Sequence, residues 1–248
     1  MRIGMITGEY PPMQGGIGAF TRILAGEMAT QGHDLFVLSR EGTQNNDPRI
    51  QLQPSVRHWR LGSLRDARHW AHDNRLDIVN IQYQTAAYSM SPFIYFLPEA
   101  IHPIPVVTTF HDLRFPYLFP KAGALRNWIV RRLASASDNI IITNVEDARQ
   151  IQRPGAIIPI GSNIPCIEPV DIHEWRAKAG AKPDDFLVVF FGLINKSKGL
   201  DTLVESIARL KELIGAIAVY VTGGHAALEA YGAKKGGEVL RLTTQLRH

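Results

Sequence analysis

Residues 3 to 20 read IGMITGEYPPMQGGIGAF: an alternating apolar run ending at Thr7, a passage through Pro11 and Pro12, and then Gly15, Gly16 and Gly18 just ahead of a helical pattern. Ile17, Phe20, Ile23, Leu24 and Met28 recur at the helical period, so the glycines stand where a strand hands over to a helix. A helix start carries unpaired N–H groups and partial positive charge. Residues without a Cβ let a phosphate or a sugar come up to the backbone there. Gly32 is placed to end the helix, and Leu35 to Leu38 to form the next strand, which makes the opening of the chain a βαβ unit.

The dinucleotide-binding fingerprint asks for a third glycine three residues after Gly18, where Thr21 stands. It also asks for an acidic residue at the end of the second strand, where the chain has Ser39, Arg40 and only then Glu41, so a dehydrogenase is disfavoured. The glycines retain two readings, an anion site or a simple turn of the chain.

Further along, residues 41 to 54 are polar and read as a loop, VRHWRL (56 to 61) as a strand, and 63 to 74 as a helix with Ser63 as N-cap. His69 and His72 fall on one face of that helix. With no third ligand nearby, solvent-facing histidines are preferred to a metal site. Ile78 to Ile81 and Pro105 to Phe110 are short apolar strands, and His111 and Asp112 follow the second of them directly. In an open α/β sheet that is the crevice end, so His111 is either a site residue or a cap on the strand end. Residues 113 to 120 (LRFPYLFP) are aromatic and proline-rich, and the next helix carries Arg126, Arg131 and Arg132 beside Trp128 and Ile129. That pairing suits an anionic membrane surface, or a helix packed on the sheet with its arginines in water. Strands at 139 to 143 and 156 to 160 complete the alternation expected of a doubly wound parallel sheet.

A second unit of the same kind opens after a proline-bounded linker, with Asp171 as N-cap of a helix, FLVVFF (186 to 191) as a strand and Leu200 to Leu213 as an amphipathic helix. Between the last two lie Lys196 and Lys198, ammonium groups beside a helix start, which read as a diphosphate clamp or as a solvated loop.

YPPMQGGIGAF followed by QGHDLFVLS, together with TFHD, IPIGSNIP and GLINKSKGLDTLVE, resembles the family 4 retaining glycosyltransferases, which have the GT-B architecture of two Rossmann-like domains. The resemblance implies a complete N-terminal, acceptor-side domain over 1–165 and part of a donor-side domain over 166–248. It further implies transfer of a hexosyl group from a nucleotide-diphosphate sugar with retention of configuration. Gly15, Gly16 and Gly18 would meet the donor through their backbone, His111 would contact its sugar near the reacting centre, and Gly161 and Asn163 would floor the cleft. Lys196, Lys198 and Gly199 would embrace the diphosphate, although Leu193 stands where many members place an arginine. No metal or other cofactor is implied, because lysines and helix starts do the work of a divalent ion. The family's two glutamates separated by seven residues are absent after Gly192, so the second domain reads as cut short. An inactive fragment acting as a sugar- or phosphate-binding module, and a GT-B sugar-nucleotide epimerase, are the competing readings.

The bulk properties fit this picture. Apolar residues make up 45% and charged residues 20% of the 248, and no apolar run reaches the length of a membrane span. Cys166 is the only cysteine, which excludes an internal disulfide framework and a multi-cysteine zinc site. The net charge of +4 suits anionic substrates or lipid head groups without calling for nucleic acid. MRIGMIT runs straight into a strand with no leader pattern, so the expected location is the cytoplasm, with peripheral contact at the inner face of the membrane as the further option. The acceptor, whether sugar, lipid or polysaccharide, is left to the loops at 41 to 54 and 113 to 120.

Overall fold

The computed structural model describes residues 1–13, 15–113, 123–162, 171–178, 181–183, 186–191, 199–214 and 217–222. The chain divides into two compact units, Met1–Pro165 and Cys166–His248.

The first unit is a seven-stranded, wholly parallel sheet in the order β3-β2-β1-β4-β5-β6-β7. Its strands are β1 (Arg2–Thr7), β2 (Asp34–Arg40), β3 (Ile50–Val56), β4 (Ile78–Tyr83), β5 (Val106–Phe110), β6 (Asn139–Ile142) and β7 (Ala156–Ile157). β1 and β4 are neighbours that lead off in opposite directions, which is the switch point where doubly wound sheets open a crevice at their carboxyl ends. α1 (Gly16–Thr30) covers one face, burying Ala25 with Ile3, Met5, Leu35 and Val37. α2 (Leu61–Asp73), α3 (Leu97–Ile101) and α4 (Gly123–Ala136) contribute Trp70, Leu97 and Leu133 to the core that holds Phe36, Ile81 and Phe110. Those core residues alternate along each strand with the ones under α1, so the pleat assigns each set to its own layer.

Two expected boundaries move. Of the expected loop at 41–54, residues 50–54 belong to β3, which runs on to Val56, so VRHWRL mostly follows the strand instead of forming one. β3 is an edge strand paired only with β2, so half of its backbone needs no ladder partner, and Pro54 is tolerated there beside a register shift at Ser39/Arg40. α2 begins at Leu61 with Arg60, not Ser63, in the N-cap position. The Ser63 hydroxyl instead donates back to the Arg60 carbonyl at 2.6 Å. His69 and His72 are exposed, and no group of three or more His, Cys, Asp or Glu able to hold a metal occurs among the described residues.

In the second unit, α6 (Ile172–Lys178) is capped by Asp171, whose carboxylate accepts from the His173 N–H at 2.8 Å. β8 (Phe186–Phe191) and β9 (Ile217–Thr222) pair in parallel, with α7 (Leu200–Ile214) between them in the chain, which is one Rossmann-like βαβ unit. The short α5 (Val145–Ile151) belongs to the first unit, where the Asn144 side chain accepts from the Asp147 N–H at 2.8 Å. No described helix is long and apolar enough to cross a membrane.

Candidate functional site

β1 ends at Thr7, and the chain then turns through Glu9 to Met13 before Gly15 starts α1 as its N-cap. Gly15 has no side chain to cap with and no acidic residue occupies the first turn, so the amino end of α1 keeps its open N–H groups and its positive dipole end. Around it the glycines differ in what they do. A Cβ on Gly16 would meet nothing within 4 Å, so the bare backbone there faces open space. A Cβ on Gly18 would press on Tyr10 Cα at 3.0 Å and on the Glu9 carbonyl at 3.1 Å, so this glycine lets α1 lie against the turn. A Cβ on Gly15 would collide with the Glu9 carboxylate.

Glu9 was not singled out from the sequence. Burial pushes its carboxyl up from the ordinary value, with Arg40 pulling the other way, and it lies at the positive end of α1. Its signal was position alone, one turn of chain before the glycines.

His111 stands one residue past β5, with 8% of its surface exposed. Its backbone is pinned on both sides: its N–H donates to the Tyr83 carbonyl at 3.1 Å, and its carbonyl accepts from the Thr143 hydroxyl at 3.0 Å. The ring meets Phe20 of α1 edge-on, centroids 4.9 Å apart. Nε2 lies 2.6 Å from Gln82 Oε1, Gln82 Nε2 donates to Asn80 Oδ1 at 2.5 Å, and Asn80 in turn meets Thr109 Oγ1 at 3.1 Å. The register explains the cluster, because Gln82 is flanked by Thr7 on β1 and Thr109 on β5. Burial lowers the imidazole from 6.5 to about 4, so the ring is neutral near pH 7. Sequence reading missed Asn80 and Gln82, two amides in an otherwise apolar strand (IVNIQY). Buried polar residues in a central parallel strand are the signal that could have found them.

Thus the glycine-led start of α1 and His111, far apart in sequence, are joined by the Phe20 contact at the carboxyl ends of β1 and β5, the two strands that flank β4. The profile of the glycosyl transferase 4-like domain matches residues 15–159. The chain belongs to the glycosyl transferase 4-like family.

Among relatives, this glycosyltransferase-family chain is 31% identical over 143 residues to a protein of Bacillus subtilis (strain 168) named "Putative glycosyltransferase EpsD", covering 52% of this chain and 36% of that protein. It is 22% identical over 234 residues to the alpha-monoglucosyldiacylglycerol synthase of Streptococcus pneumoniae (strain ATCC BAA-255 / R6), covering 84% of this chain and 52% of the other. The chain therefore spans about half or less of the length of these curated relatives. Among solved structures, the catalytic domain of starch synthase IV from Arabidopsis thaliana superposes with a TM-score of 0.59 at 12% identity, over 98% of this chain and 76% of that one. WaaG, a glycosyltransferase involved in lipopolysaccharide biosynthesis, gives 0.57 at 14% identity, over 98% and 68%. The fold is of the GT-B type, with one Rossmann-like sheet and, among the described residues, one Rossmann-like βαβ unit in the second compact unit.

Of the residues picked from sequence, the structure brings Gly15, Gly16, Gly18 and His111 to one end of the first sheet. Gly161 is exposed at the end of the first unit. Gly199 takes a left-handed conformation, φ +73°, directly before α7 in the second unit, and its carbonyl accepts from the Leu203 N–H at 2.9 Å. Asn163, Lys196 and Lys198 lie outside the described residues, as do Cys166 and most of the 113–120 loop. A separate open groove of about 610 Å³ runs between α1 and the loop after β2, lined among others by Arg22, Glu27, Asn45 and Asp47. Hydrogen bonds from Arg49 hold the Asp47 carboxyl down to about 2.

Proposed function

We propose that this chain forms the acceptor side, and the start of the donor side, of an enzyme that transfers a hexosyl group from a nucleoside diphosphate sugar to an acceptor hydroxyl with retention. The observation that carries this reading is the meeting of the uncapped α1 start with His111, through Phe20, in a chain of the glycosyl transferase 4-like family. In the reaction, the bond from the anomeric carbon to the diphosphate oxygen breaks. A bond to the acceptor oxygen forms on the same face, and the departing phosphate takes the acceptor proton. The open N–H groups at Gly16 and beyond stabilise the charge growing on the leaving oxygen. Lys196, Lys198 and Gly199 of the second unit are assigned to the donor diphosphate on the family resemblance. His111 orients the sugar. Lysines and helix ends supply the positive charge, so the reading assigns no metal and no cofactor besides the donor substrate itself.

Acceptor choice is assigned to the groove beside the loop at 41–49 and to the 113–120 loop. A lipid acceptor draws support from the relative whose name contains diacylglycerol. Trp128, 58% exposed on α4, next to exposed Arg131, supports peripheral contact with an anionic membrane at its cytoplasmic face. A second reading is a module that binds a sugar or phosphate without turnover, for which the open backbone at Gly16 and the uncapped start of α1 would suffice.

The deciding experiment incubates the chain with UDP-, GDP- and ADP-glucose, with and without a diacylglycerol or oligosaccharide acceptor, and follows nucleoside diphosphate release and product anomers by NMR. Release of nucleoside diphosphate with an α-linked product from an α-linked donor supports retaining transfer. Calorimetric binding without release leaves the binding module, inversion of the sugar without acceptor marks an epimerase, and neither binding nor turnover rejects all of these.

A further inference from the structure

The amides of Asn80 and Gln82 are buried in β4 and held to one another, to Thr109 and to His111, yet nothing in the reaction just described uses them. Buried amides in a central strand carry a cost unless every donor and acceptor is placed. Their arrangement dictates something about the histidine. Gln82 cannot turn over alone, because its oxygen would then face Asn80 Oδ1 at 2.5 Å, acceptor against acceptor. Both amides would have to reverse together. If they did, His111 Nε2 would become the acceptor of a Gln82 N–H, and the proton of the neutral ring would sit on Nδ1. No described residue hydrogen-bonds that atom. The observed order places the proton on Nε2, where Gln82 Oε1 receives it at 2.6 Å.

We propose that Gln82 is a positioning residue that locks His111 as the Nε2–H tautomer, leaving Nδ1 unprotonated as a hydrogen-bond acceptor for a hydroxyl of the bound sugar. The lock itself stands on the geometry alone, and its use for a sugar hydroxyl rests on the transfer reading above. Asn80 and Thr109 anchor Gln82 from behind, and the edge of Phe20 holds the ring plane. A histidine kept in one tautomer offers the substrate a single, fixed polar atom, where a free ring would interconvert.

The test is long-range proton–nitrogen NMR on the full 248-residue chain labelled at its nine histidines, with His111 assigned through His111→Gln. The expected wild-type pattern is Nε2–H. Gln82→Met keeps the side-chain length and removes the acceptor, and the His111 nitrogens should then move to the intermediate shifts of mixed tautomers. Gln82→Glu restores an acceptor, so it should restore Nε2–H and raise the His111 pKa by about 1–3 units. An Nδ1–H wild-type ring, or an unchanged Nε2–H pattern in Gln82→Met, overturns the proposal. If Gln82→Met fails to fold, the wild-type tautomer and Gln82→Glu decide the matter by themselves. Addition of UDP-glucose separates the two layers. A shifted Nδ1 signal supports the contact with sugar, and a correct tautomer with an unmoved Nδ1 supports the lock while overturning the sugar contact.

Discussion

The ring of Phe20, in the second turn of α1, stands edge-on against His111 at the end of β5, with centroids 4.9 Å apart and planes at 76°. This contact ties the helix that begins with the glycines to the histidine some ninety residues later, and it helps keep the imidazole out of water. Phe20→Ala should therefore let solvent reach the ring, and the His111 pKa, now about 4, should climb toward 6.5. The cost in stability should be about 2 kcal/mol, below that of a fully buried aromatic because Phe20 is only partly buried. Histidine NMR titration together with urea unfolding checks both numbers.

The same depressed pKa makes stability depend on pH in a definite sense. Above 6.5 the imidazole is neutral in both folded and unfolded chains, so its full contribution is present. As pH falls from 6.5 toward about 4, the unfolded chain takes up the proton first and stability is lost. The loss through this group should reach about 3 kcal/mol at most. Denaturant unfolding of wild type and His111→Gln across that window measures it, and equal slopes for the two proteins would refute the assignment.

Glycine substitutions should separate packing from binding. Gly18→Ala forces a methyl onto the Glu9–Tyr10 backbone at 3.0 to 3.1 Å, and should destabilise by about 1–3 kcal/mol. Gly16→Ala meets nothing within 4 Å, so it should leave the melting temperature nearly unchanged while weakening donor binding. Calorimetry beside thermal unfolding distinguishes the two, and equal binding by Gly16→Ala and wild type would move the donor elsewhere.

Among the described glycines, Gly8 is the one where a side chain would meet backbone most closely. A Cβ there would run into the carbonyl of Ala87, and Tyr88, fully buried, donates its hydroxyl to the Ile6 and Gln82 carbonyls at 2.9 and 3.1 Å. Gly8→Ala should push the loop after β4 off the end of β1 and destabilise by more than about 3 kcal/mol, because backbone cannot yield as a side-chain tip can. Expression level and far-ultraviolet circular dichroism read the outcome.

On α4, Trp128 is exposed while Arg132 is occupied, its guanidinium stacked 4.3 Å over the Phe96 ring and paired with Glu99. Arg132→Ala should then change vesicle binding less than Trp128→Ala or Arg131→Ala. Sedimentation with phosphatidylglycerol against phosphatidylcholine vesicles tests this, and absence of any dependence on anionic lipid removes the membrane reading.

Much of this molecule is written in local pattern. Apolar runs of four to six residues mark β1, β4, β5 and β6, the glycines mark the start of α1, and the residue after β5 is legible as a crevice residue, because strand and helix periods and backbone freedom are properties of neighbouring residues. Strand β3 was not legible. Its polar residues and Pro54 read as loop, and they are acceptable in a strand only because that strand lies at the sheet edge with a single partner. Pairing order is a long-range outcome that no window of sequence contains. The same holds for Gln82, whose meaning depends on Thr7 and Thr109 flanking it and on a histidine that another strand delivers within 2.6 Å. Chain chemistry near each residue names the elements and the candidate groups. Which groups share a hydrogen bond, and which glycine packs while its neighbour stays open, follows from register and from how closely α1 settles on the sheet, since those distances are set by the packing of the whole layer.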